Sequence, residues 1–146
     1  MTAEPRNPLR EVKLTLPMEP DMEVLASQAA TAMAAFIGMS PDRVDEVRMA
    51  VVEACINAFE HSHSSVRKVD ITFTVIGDRQ PDRLEITVHD DGVGFVPSDV
   101  EDPRIEAKLK GQRKRGWGLK IIQGLMDDVR ILSGARGTTV IMSKSR

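Results

Sequence analysis

The chain reads as an α+β fold, a two-layer sandwich in which helices cover one face of a mainly antiparallel sheet. Three observations predict it. Segments of strand alternation occur near the start, in the middle and at the end; two long segments of helical period separate the first strand from the second; and the later strands come as two pairs, each joined by a short, turn-rich connection. With 146 residues, the chain is expected to form one domain over 1–146 and to bury about two-thirds of its unfolded surface.

The elements follow in order. EVKLTLP (11–17) alternates, with Val12, Leu14 and Leu16 on one face, and stops at Pro17. PDMEVLASQAATAMAAFIG (20–38) is composed of good helix formers and closes on Gly38. SPDRV (40–44) supplies a Ser N-cap with proline at the first helical position, so a second helix runs from about Pro41 to His61. RKVDITFTVIG (67–77) and RLEITVHD (83–90) read as a hairpin across DRQPD. From Phe95 to Arg115 alternation stops and charge takes over; GWGLKIIQGLMD (116–127) then resumes a helical period with Leu119, Ile122, Leu125 and Met126 inward. DVRILSG (128–134) and GTTVIMSK (137–144) form a last hairpin.

Composition removes several classes of function. A net charge of −2, from 20 basic and 22 acidic residues, gives no case for nucleic acid or an anionic membrane as partner. Four Phe, one Trp and no Tyr leave little for stacking single strands. The lone cysteine, Cys55, lies among apolar neighbours and reads as a small buried hydrophobe in a reducing, cytoplasmic setting. No run is long and apolar enough to span a bilayer, and MTAEPRNPLR lacks the apolar stretch of a signal peptide.

The chemistry concentrates in three places. On the second helix Val44, Val47, Val51, Ala54 and Ala58 share one side, while Glu53, Asn57 and His61, each advancing roughly 40° around the axis, form a polar stripe beside it. Such groups at the border of a buried face need partners. In ITVHDDGVGF (86–95), strand parity puts Asp90 at the end of the inward row Leu84, Ile86 and Val88, and Gly92 and Gly94 suit close backbone approach or positive φ. About twenty residues without alternation follow, a length typical of a lid or a disordered segment, with Lys108, Lys110, Arg113, Lys114 and Arg115 crowding the second half. That run ends at GWGL (116–119), where a new helix presents free N–H groups suited to an anion. No Walker-type loop, dinucleotide fingerprint, four-ligand zinc spacing or G-x-S-x-G elbow is present.

Taken in order, E-x-x-x-N-A-x-x-H (53–61), D-x-G-x-G (90–94), G-x-G-L (116–119) and G-T (137–138) resemble the nucleotide-binding boxes of the Bergerat-fold (GHKL) ATPases. Within that superfamily the chain is similar to the anti-sigma-factor serine kinases of the RsbW and SpoIIAB type, through VVEACINAFEH, GLMDDVRI and GTTV. The resemblance implies an ATP/ADP site. Asn57 would ligate a phosphate-bridging Mg²⁺, Glu53 would act as general base, and Asp90 would accept from the adenine amino group. Gly92 and Gly94 would admit the base, Thr138 would support it, and Gly116, Gly118 and Leu119 would hold the phosphates beneath a lid over about 96–115. Lys114 and Arg115 both qualify as the basic residue that reaches the γ-phosphate.

The implied partners are a STAS-domain anti-anti-sigma protein, phosphorylated on serine, and a sigma factor sequestered when that antagonist is unavailable. Two other readings stay open: a kinase of a STAS partner without sigma binding, and a non-catalytic adenine-nucleotide module. Glu53 favours catalysis, since a pure binding module needs no base there. The Ala- and Met-rich first helix (22–37) could form a homodimer face, a partner face or a plain core helix.

Overall fold

The computed structural model describes residues 8–62, 66–92 and 115–146, the side chains of residues 115–117 excepted. The elements are β1 (Pro8–Pro17), α1 (Met22–Phe36), α2 (Pro41–His61), β2 (Lys68–Ile76), β3 (Arg83–Asp90), α3 (Arg115–Leu125), β4 (Asp128–Gly134) and β5 (Gly137–Ser145). Their order is the one that the sequence predicts. β1 starts earlier than its alternation suggests, because its ladder with β2 continues past an irregularity between Pro8 and Arg10. α1 is shorter at both ends than 20–38. It begins after Asp21, which sits at φ 74, and it closes in a Schellman arrangement: Met39 N donates to Ala34 O and Gly38 N to Ala35 O, with Gly38 at φ +85. At α2 the Ser40 hydroxyl accepts from Arg43 N at 3.4 Å, ahead of Pro41, as the capping pattern requires.

All four ladders are antiparallel, and the strand order is β1-β2-β3-β5-β4. Returning from β4, the chain thus inserts β5 beside β3. The helices lie over one face, α1 against β1 and β2, α2 against β3 and α3 against β4, with α2 packed between the other two. Period-2 alternation aims Val69, Ile71, Phe73 and Val75 of β2, with Leu84, Ile86 and Val88 of β3, at that layer. Small residues answer from the helices: Ala26, Ala30 and Ala34 of α1 and Ala50, Ala54 and Ala58 of α2 are buried, so the Ala stripe of α1 is core. The other side of α1 leaves Val24, Leu25 and Phe36 exposed, with the Arg10 guanidinium 4.3 Å from the centre of the Phe36 ring.

At the end of the sheet away from Asp90, an ion cluster around the buried Lys144, its carboxylate partners partly exposed, fastens three elements. Lys144 of β5 is 4 % exposed; its ammonium donates to Leu125 O at 2.5 Å and to Glu46 Oε2 of α2 at 3.1 Å, and lies 3.8 Å from Asp127 Oδ1. A cation against the last turn of α3 also complements the negative end of its dipole. Asp127 in turn accepts from Ser145 N at 2.7 Å, and this bond, aided by Lys144 and Arg43, holds its carboxyl below the ordinary value of 3.8.

Two outcomes follow from the packing. Phe73→Ala should lower stability by about 3–5 kcal/mol in urea unfolding, because Phe73 is fully buried on β2, an interior strand of the sheet. Asp127 titrates lower in the folded than in the unfolded chain, so its stabilisation is complete above pH 3.8 and disappears as the pH falls through the folded value. Asp127→Ala should therefore be less stable than wild type near neutrality, with a gap that closes on acidification.

Candidate functional site

The site lies where the C-terminal halves of α2 and β3 meet. Asp90 ends the inward row of β3, 8 % exposed, opposite Val69 on one neighbouring strand and Thr138 on the other. Its Oδ1 accepts from Gly92 N at 2.9 Å, a local turn that fixes the carboxylate and shapes the chain as it leaves the strand. Thr138 is buried beside it, its hydroxyl 3.2 Å from that of Ser133. Gly92 and Gly137 hold this corner closed. A Cβ at Gly137 would stand 1.9 Å from Asp90 O, and its φ of +114 is one that other residues rarely adopt.

Gly92 does not adopt the positive φ that its residue type allows; the structure shows it permitting a close approach of the protein itself. Among the described glycines positive φ occurs at Gly38 and Gly137 but not at Gly92. Gly92 instead abuts Ser62, the C-cap of α2: a Cβ there would come within 2.5 Å of Ser62 Oγ and 2.9 Å of Ser62 Cα. This contact ties the end of α2 to the end of β3. From Ser62 back along α2, Asn57 lies about 7.5 Å and Glu53 about 13.5 Å away at helical rise. Asn57 is 6 % exposed, and its carboxamide makes no hydrogen bond to another described residue. Glu53 is half-buried one turn before it, and His61 is half-buried one turn after, its Nε2 3.9 Å from Glu60 Oε2. Between Glu53 and Asn57, burial pushes the Cys55 thiol up to about 12, with Glu23 adding to the effect, so it stays protonated and inert.

The remaining sequence-predicted residues divide. Gly116 and Gly118 fall in the first turn of α3, where N–H groups have no intrahelical acceptor, and Gly118 is buried. Arg115 is the first residue of that helix rather than the last of a loop. Leu119 faces the hydrophobic core with Ile122 and Met126. Gly94, Lys114 and the rest of the expected lid lie outside the described residues. Residues 90, 92 and 138 thus meet at one corner, while Asn57 and Glu53 stand farther back along α2, the helix whose end reaches that corner; the structure adds Ser62, Ser133 and Gly137 there. Of these, Gly137 carried a signal, as the first residue of the G-T motif.

On the other face of the sheet, His89 bridges Thr139 Oγ1 at 2.8 Å and Asp91 Oδ1 at 3.0 Å. A shallow cavity of about 340 Å³ beside it is lined by His89, Leu132, Arg136 and Thr139. Among the described residues no group of three or more His, Cys, Asp and Glu side chains could hold a metal ion, and no helix is long and apolar enough to cross a membrane.

Comparison with known proteins places this architecture. The family model described as "Histidine kinase-like ATPase domain" matches residues 16–144. The chain is 29% identical over 139 residues to the serine-protein kinase RsbW of Bacillus mycoides, covering 92% of this chain and 84% of that one. It is likewise 29% identical over 147 residues to the serine-protein kinase RsbW of Bacillus velezensis, covering 91% and 84%. Among solved structures, a crystal structure of the RsbU and RsbW domains of a Mycobacterium tuberculosis protein superposes with a TM-score of 0.69 at 21% identity, over 95% of this chain and 34% of that one.

The packing at the corner makes a paired test. Gly137→Ala should cost about 2 kcal/mol or more in thermal or urea unfolding, from its φ and its clash with Asp90 O. Gly124→Ala, whose Cβ would meet nothing within 4 Å inside α3, should instead gain about 0.5–1 kcal/mol.

Proposed function

Because the chain belongs to the histidine kinase-like ATPase domain family, we propose that it is an ATP-dependent protein serine kinase and anti-sigma factor of the RsbW kind. It would phosphorylate a STAS-domain antagonist and sequester a sigma factor while that antagonist is unavailable. Similarity to serine-protein kinases over nine-tenths of the chain supports the class. The observation that carries the catalytic reading is the pairing on α2 of a buried carboxamide, Asn57, with a carboxylate one turn before it, Glu53.

In this reading the roles follow the axis of α2 from base to phosphate. Asp90 keeps Oδ1 on Gly92 N and offers Oδ2 to the adenine amino group, with Thr138 beside it. The first turn of α3, with Gly116 and Gly118, receives phosphate oxygens on free N–H groups at the positive end of the helix. Lys114 or Arg115 meets the γ-phosphate, and Gly94 borders the base.

The side chain that would hold Mg²⁺ is Asn57, a hard oxygen donor not committed to a hydrogen bond within the described residues. Described residues offer no multi-carboxylate cage, so the ion would arrive with the phosphates and supply charge neutralisation there. Glu53 takes the proton of the substrate serine as its oxygen bonds to the γ-phosphorus, while the bond from that phosphorus to the β–γ bridging oxygen breaks and ADP leaves.

Titration calorimetry and phosphotransfer separate these roles. Asn57→Ala should lose the Mg²⁺-dependent part of ATP affinity, and Asp90→Asn should weaken ATP and ADP alike by about tenfold. Glu53→Ala should keep ATP binding and lower transfer of labelled phosphate to a STAS-domain substrate by about 10²–10⁴. Undiminished transfer in Glu53→Ala would remove it as the base, and a wild type that binds neither nucleotide would leave a scaffold acting through protein contacts.

A further inference from the structure

Ser62 is the C-cap of α2, at φ −76 and ψ 129, and its main chain is fully engaged. Its N–H donates to Ala58 O at 2.9 Å, and its carbonyl accepts from Arg67 Nη1 at 3.0 Å. The hydroxyl is not: Ser62 is 6 % exposed, and its Oγ has no hydrogen-bond partner among the described residues. A buried hydroxyl left unbonded is costly, and native structures keep few of them without a reason. Alanine would cap this helix end equally well through its main chain.

The position of the hydroxyl supplies the reason. The space that a side chain at Gly92 would take is flanked by Ser62 Oγ, 2.5 Å from the ideal Cβ, and by Asp90 Oδ1, 2.8 Å from it. The unbonded hydroxyl and the buried carboxylate therefore converge from α2 and β3 on one small region. They are chemically complementary. An ionised carboxylate only accepts, and one of its oxygens is occupied by Gly92 N; a hydroxyl both donates and accepts, and it turns about a single bond.

We propose that Ser62 is a second base-recognition group, supplying the hydrogen-bond donor that Asp90 lacks; the inference rests on the reading of Asp90 as the adenine contact. The edge of adenine presents an amino donor beside the ring nitrogen N1, an acceptor. Asp90 satisfies the first and repels the second. Ser62, once its hydroxyl rotates toward the base, donates to N1 directly or through one ordered water. Guanine inverts the pattern, with an acceptor O6 facing the carboxylate, so the pair selects adenine.

The test is calorimetry on the full chain with ADP and with 1-deaza-ADP, in which N1 is replaced by C–H. Wild type should bind ADP about fivefold more tightly than 1-deaza-ADP, and Ser62→Ala should lose about that factor for ADP while binding 1-deaza-ADP as wild type does. Thermal unfolding without nucleotide should show Ser62→Ala at least as stable as wild type, since the hydroxyl has no partner to lose. An equal ratio of the two affinities in both proteins, with ADP binding intact, would overturn the assignment of Ser62 alone. Failure of wild type to bind ADP, or full ADP affinity in Asp90→Asn, would overturn the adenine reading and this assignment with it.

Discussion

The end of β3 has no room to spare, and the arrangement of the site depends on that. On one side Gly137 of β5 lies so close that any side chain would strike Asp90 O. On another, the end of α2 arrives at Gly92 so closely that only glycine fits there. Between these contacts the Asp90 carboxylate accepts from Gly92 N and is held facing the helix layer. Two glycines that place no side chain of their own thus fix the one carboxylate that does. A backbone held from two sides does not have to reorganise when a ligand arrives, which is the condition for affinity without an ordering penalty.

α2 carries the second half of the arrangement. Its Ala and Val face lets it settle between α1 and α3 and against β3, and that close packing sets the height at which Asn57 and Glu53 stand. Small residues are what permit this. A helix of larger side chains would ride farther from the sheet and would lift the C-cap away from Gly92. The polar stripe therefore owes its position to the apolar one beside it, and both are carried by the same 21 residues.

Most of the fold was legible because its signals are local. Alternation, caps and helical period identified every described element, and Ser40, Pro41 and Gly38 act at the helix ends as their types predict. Inward parity placed Asp90 correctly, since a strand has only two faces. The parts that escaped are non-local. That Gly92 answers to Ser62 depends on two elements meeting that are thirty residues apart in sequence, and the extra residues of β1 depend on pairing with β2. Ser133 behind Thr138 likewise needs the hairpin register to be known. The candidate residues stood out as motifs; what holds Asp90 and Gly92 in place did not, because support is a property of contacts rather than of residue types.

The ion cluster at Lys144 has a mechanical meaning that its energetics do not express. It grips α3 at Leu125, the last residue of the helix, and binds that point to α2 and to β5. The glycines of the first turn lie toward the opposite end, Gly118 about 10.5 Å and Gly116 about 13.5 Å away along the axis. The middle of α3 is held as well, by Leu119 and Ile122 in the core and by α2 alongside, so Lys144 anchors one end of a helix that carries its glycines at the other. The end that faces the phosphates in the proposed site is therefore the end farthest from that anchor.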